Sequence, residues 1–155
     1  MRLSVADQRR FPRLTEYVRR RMPEVLNVPV IVRNMRRFGS LTRAELAHAL
    51  TWGTDPLILI VDHTANTCGG TAAVNGCFRP TNPDRIELND ETVNNFETDP
   101  YGAGSDVNAR GQKLFIVGTT ILHELCHWGN FKHGVAEVTE QGVAFEVATY
   151  GRNTG

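Results

Sequence analysis

Residues 121–129 read Ile-Leu-His-Glu-Leu-Cys-His-Trp-Gly, and this run restricts the chain more than any other. His123 and His127 are four residues apart. On an α-helix that spacing stacks both imidazoles on one face, one turn apart, where two nitrogens can grip a single metal ion. Glu124 projects beside them, within reach of a water held by that ion. The HExxH spacing therefore predicts two zinc (Zn²⁺) ligands, His123 and His127, and a general base, Glu124. Ile121, Leu122, Leu125 and Cys126 carry no charge, as a helix packed inside a core requires. Cys126 faces away from the histidines and reads as a small core residue. The competing reading is a buried helix whose histidines are merely hydrogen-bonded. It is disfavoured because two imidazoles and a carboxylate are costly to bury without a cation.

At 155 residues the chain is long enough for one domain, 1–155, with a sizeable core. No apolar run is long enough to span a bilayer, and residues 1–8 lack the apolar stretch of a cleaved signal. The expected location is the cytoplasm of the producer, or outside it by a route that needs no cleaved signal. Charge is balanced overall but uneven. Residues 1–45 hold eleven Arg against four acids, and the remainder holds six basic residues against thirteen acids. No aromatic-interleaved patch or nucleic-acid motif accompanies the arginines, so nucleic acid is not expected as a partner. The expectation is that the basic segment pairs with the acidic remainder of its own chain. Cys68 and Cys77 flank a glycine-rich stretch. They are expected either to pair across a hairpin, if the protein works in an oxidising compartment, or to remain as two buried thiols.

Residues 4–21 read as a helix that Pro12 kinks or restarts, and Val28–Val32 as a strand. Thr42 and Glu45 form a capping box for a helix that continues to Trp52, with Gly53 as its stop. Leu57–Val61 is a buried strand, and Gly69–Phe78 a hairpin or lining loop. Arg85–Asn89 alternates like a half-exposed strand, whose edge is expected to align an extended substrate. Asp90 caps a short helix, and 98–108 is a loop. A long helix is expected from about Ala109 to Trp128, stopped by Gly129 and Asn130. Thr139 is expected to cap a last helix ending at Tyr150. The fold class is α+β, with a small mixed or antiparallel sheet packed on the HExxH helix.

A catalytic zinc takes three protein ligands and leaves a fourth position open. His133 is one candidate for the third. The run from His123 to His133 approaches the metzincin pattern HExxHxxGxxH, with Asn130 where that pattern has glycine and no Met-turn following. Glu146, nineteen residues after His127 on a second helix, is the other. Tyr150, one turn further on, lies on the same predicted face, where its hydroxyl can serve a developing oxyanion.

Three segments, Arg85–Asn89, Ile121–Gly129 and Gly142–Gly151, resemble the zincin-type toxin metallopeptidase domains of bacteria, which occur on type VI secretion spike proteins or as stand-alone effectors. The resemblance covers roughly the C-terminal half. It implies a zincin-like fold and a glutamate as third ligand. That maps onto Glu146 in preference to His133, with Glu140 a weaker third choice read as an early-helix acid near the helix dipole. It also implies a peptide or protein substrate, an immunity or inhibitor protein, and delivery to the periplasm of a target cell. The expected activity is a zinc metallopeptidase, with Glu124 and Tyr150 in catalysis. The alternatives are a zinc amidase acting on cell-wall peptide, and a non-enzymatic partner-binding module whose metal is structural.

Overall fold

In the computed structural model the described residues are 1–63, 68 and 74–154. The chain opens with a short strand β1 (Arg2–Leu3), then α1 (Val5–Arg10) and α2 (Pro12–Glu16), the latter running on through a π-helical turn (Tyr17–Arg21) and a 3₁₀ stretch (Met22–Asn27). Pro12 is at the start of α2, where its missing N–H costs nothing, so it restarts the helix as its sequence suggests. Next come α3 (Pro29–Gly39), α4 (Arg43–Leu50), β2 (Leu57–Val61), β3 (Gly76–Phe78), β4 (Arg85–Asn89) and α5 (Asp90–Thr98). A hairpin, β5 (Ser105–Val107) and β6 (Lys113–Phe115), leads into the central helix α6 (Ile116–Lys132), and α7 (Gln141–Tyr150) follows.

The architecture is α+β around one hydrophobic core. The main sheet has the order β1-β2-β4-β3, parallel except for the antiparallel edge pair β3–β4. The sheet is mixed, as expected. Helix α6 packs on β3 and β4 with one side and against α3 and α7 with the other. This explains its uncharged sequence: Ile121, Leu122, Leu125 and Cys126 are all buried. The Cys126 thiol lies 3.6 Å from the Met35 thioether, and burial pushes its pKa well up.

Several local expectations are corrected. Val28–Val32 is not a strand. Five residues are too few to separate the two periods, but over the full span Ile31, Asn34 and Met35 share a buried face, and Pro29 pre-sets the first helical turn. β4 is not half-exposed, because it is an inner strand with neighbours on both edges. Its Glu87 is buried and accepts from Arg79 Nε at 3.0 Å. Its edge is therefore unavailable to a substrate.

The motif helix starts seven residues later than expected. Asn108 Oδ1 accepts from the Arg110 and Gln112 amides, and Gly111 has φ +76°, which turns the chain into the β5–β6 hairpin first. Nor does Gly129-Asn130 stop it. A Cβ at Gly129 would lie 2.1 Å from the Gly39 carbonyl oxygen, so the glycine is there to let α3 and α6 touch. Asn89, not Asp90, caps α5, and Glu140, not Thr139, caps α7.

The basic segment also departs from expectation. Among the described residues, Arg2 with Asp55 is the ion pair it makes to the acidic remainder. Arg20 and Arg21 pair within the segment. Cys68 and Cys77 form a disulfide with Cα atoms 6.0 Å apart. The middle of the glycine-rich stretch, 69–73, lies outside the described residues, and its end is β3. No helix among the described residues is long and apolar enough to cross a membrane.

Candidate metal centre

Helix α6 places His123 and His127 side by side, with ring centroids 5.2 Å apart. Glu140 Oε1 lies 2.6 Å from His127 Nε2 and 3.3 Å from His123 Nε2. One donor atom from each of His123, His127 and Glu140 falls within 4.8 Å of the others. Glu140 is held there by its second duty. As N-cap of α7 it accepts from the Gly142 and Val143 amides, so helix N-terminus and site share one carboxylate. Gly142 permits this approach. A Cβ there would come within 2.2 Å of the His123 ring.

The far nitrogens of both rings are engaged as well. His123 Nδ1 donates to Glu146 Oε1 at 2.6 Å, and His127 Nδ1 donates to Glu137 Oε2 at 2.6 Å. Glu146 is buried, and its other oxygen accepts from the Thr154 amide at 2.6 Å and hydroxyl at 2.8 Å. The sequence-based first choice for third ligand thus sits on the opposite ring nitrogen from the one that faces Glu140. The reason is its position on α7: it lies more than one turn beyond the helix start, behind His123.

Glu124 is buried and lines the cavity in front of the histidines. Burial raises its pKa to about 7, against the opposing pull of His123 and His127 and a backbone hydrogen bond from Phe78. Burial alone would lower the pKa of His123, but the hydrogen bonds to Glu140 and Glu146 outweigh it and raise the value to about 10. His127 is raised for the same kind of reason, burial being outweighed by Glu140 and the other carboxylates around it. Glu140 is depressed: its hydrogen bonds to both imidazoles outweigh the upward push of burial.

The cavity has a volume of about 530 Å³. Its walls include β3 with the Cys68–Cys77 disulfide on one side and Phe131, Val135 and Val143 on the other. A smaller polar cavity of about 240 Å³ also borders Glu124, lined by Thr120, Glu146 and Thr154 among others.

Two other sequence candidates lie elsewhere. Tyr150 lines neither cavity. It is 9% exposed and packs edge-on against Phe145, and burial raises its pKa. One turn past Glu146 the helix has already left the cavity, and the ring joins the core. His133 pairs with Glu45 at 3.0 Å on a different face, because α6 extends through Lys132 instead of stopping early and turning back. Glu137 and Gly142 are site residues that sequence reasoning missed. Glu137 carried no periodic signal, and the need for glycine at 142 arises only from a neighbouring helix.

Residues 7–151 match the family model described as metallopeptidase toxin 3, and the chain belongs to that family. Neither a curated protein nor a solved structure matches it. Membership makes the protein a toxin-type metallopeptidase, a hydrolase that depends on a metal ion. The donor set fits such an ion, since two imidazoles and a carboxylate converge and both rings are oriented from behind by carboxylates.

Proposed function

We propose that this protein is a zinc-dependent peptidase toxin in which His123, His127 and Glu140 hold the metal and Glu124 is the general base. The carrying observation is the convergence of those three donors at a cavity whose wall includes Glu124. Two imidazoles, one carboxylate and no thiolate suit Zn²⁺, and three protein ligands leave a position open, as catalytic rather than structural zinc sites do. When bound, the ion supplies Lewis-acid polarisation of a substrate carbonyl and acidifies water.

The chain's own residues do the rest. Glu124, poised near neutrality by burial, takes the proton of the attacking water and passes it to the leaving amine. Glu146 and Glu137 hold the protons on Nδ1 of His123 and His127, keeping the Nε2 lone pairs turned toward the metal. An extended peptide lies along β3, the sheet-edge strand beside Glu124. The role expected of β4 thus moves one strand outward. Phe78, Phe131, Val135 and Val143 offer its side chains an apolar wall. The Cys68–Cys77 disulfide favours action in an oxidising compartment, such as the periplasm of a target cell reached from the producer's cytoplasm by a secretion apparatus.

The test is Glu124→Gln. Peptide cleavage is expected to fall by at least about 100-fold, the scale of losing a general base, while metal analysis still finds one zinc per chain. Cleavage at the wild-type rate would remove Glu124 from the chemistry. A purified wild-type protein that takes up no zinc would remove the metal centre.

A further inference from the structure

Asn130 lies on α6 three residues after His127 and is 2% exposed. A helix packed on a helix needs only an apolar side chain at such a position. Asn130 instead has three polar partners. Its Nδ2 donates to the Phe38 carbonyl at 2.7 Å and to Glu137 Oε1 at 2.7 Å, and its Oδ1 accepts from Ser40 Oγ at 2.6 Å. Both amide hydrogens and the carbonyl are thereby used, so the partners determine which way the amide faces.

Glu137's other oxygen receives His127 Nδ1. An unbroken series of hydrogen bonds therefore runs from the turn that ends α3, where Ser40 holds φ +57°, through Asn130 and Glu137 to the imidazole. Glu137 needs such an anchor. It stands in the irregular segment between α6 and α7, which belongs to no helix or strand. The same asparagine also receives the Val135 amide on its backbone carbonyl at 2.9 Å, fixing the segment two residues before Glu137.

We infer that Asn130 is a positioning residue for the metal centre: it holds the Glu137 carboxylate against His127 Nδ1 and so keeps Nε2 aimed at the ion. This rests on the reading that His127 is a metal ligand. It gives a function to the residue that stands where the metzincin pattern has glycine, a function that neither the HExxH spacing nor the family match assigns.

The experiment is a double-mutant cycle read as zinc affinity, by competition with a chromophoric chelator, on the wild type, Asn130→Ala, Glu137→Gln and the double variant. Unfolding of each metal-free protein is followed in parallel. Asn130→Ala is expected to weaken zinc binding by up to about 10-fold, no more than the loss expected for Glu137→Gln, through which it acts. In the Glu137→Gln background the same change is expected to add less than about twofold, because the two residues act in series. Ser40→Ala, which removes one hydroxyl and leaves the core packed, gives a smaller loss in the same direction and serves if Asn130→Ala does not fold.

Equal zinc affinity in wild type, Asn130→Ala and Ser40→Ala overturns the inference, as does an Asn130 effect of the same size in both backgrounds. A wild type that binds no zinc removes the metal reading itself. Tight wild-type binding with unaffected variants leaves that reading standing and sinks only the role of Asn130.

Discussion

His123 and His127 are chemically the same side chain one helical turn apart, yet their surroundings differ. His123 is backed by Glu146, which is buried inside α7 and locked by the Thr154 amide and hydroxyl. His127 is backed by Glu137, whose side chain is 24% exposed and stands in an irregular segment. One imidazole is held by a helix interior and the other by a loop tied down through Asn130. The pair shares a single front partner, Glu140. A two-histidine motif therefore does not make two equivalent imidazoles. Each ring is only as rigid as the carboxylate behind it.

The largest effect expected is at the point the two rings share. Glu140→Gln keeps an oxygen to cap α7 but loses the carboxylate charge. Zinc affinity should drop beyond the roughly 100-fold that marks the upper end for residues behind a ligand, as read by chelator competition. If Glu140→Gln binds zinc normally and Glu146→Gln does not, the sequence-based choice of Glu146 is restored as ligand.

The next effect separates the two sides. Glu146→Gln should cost near about 100-fold in zinc affinity and Glu137→Gln nearer about 10-fold, because a loop carboxylate in partial contact with water contributes less than a buried one. Equal losses, measured by the same chelator competition, would erase the distinction between helix-held and loop-held rings.

The smallest effect is one of pH. In the metal-free protein His123 has a folded-state pKa of about 10, above its ordinary 6.5, with burial opposed by Glu140 and Glu146. Folding thus favours the protonated ring. The stabilisation of wild type over His123→Asn is whole below about pH 6.5 and is lost as pH rises toward 10. Urea unfolding of both metal-free proteins across that window tests the sign. A difference that grows with pH would mean that the ring is held neutral.

The same contrast explains what was legible beforehand. His123, Glu124 and His127 lie on one helix, where spacing alone determines which side chains share a face. The α+β class, the buried character of Ile121–Cys126 and the restart at Pro12 follow from equally local rules. Val28–Val32 misled because a short apolar run looks the same in both periods. Gly129-Asn130 misled because a glycine demanded by helix contact resembles a helix stop. Tyr150 is misplaced by extending one helix's periodicity past the cavity, and His133 by expecting the chain to turn back after His127 where α6 instead runs on through Lys132.

Taken alone, the sequence determined that two imidazoles and a carboxylate lie on one side of the same helix, since a 3.6-residue repeat needs no partner to be read. Which of Glu137, Glu140 and Glu146 meets Nε2 and which meets Nδ1 was decided only by the tertiary structure. Those roles depend on the approach of α7 and its leading segment to α6, on Gly142 leaving room for His123, and on Asn130 reaching back to the end of α3. Contacts between elements distant in sequence leave no periodic trace in the sequence itself.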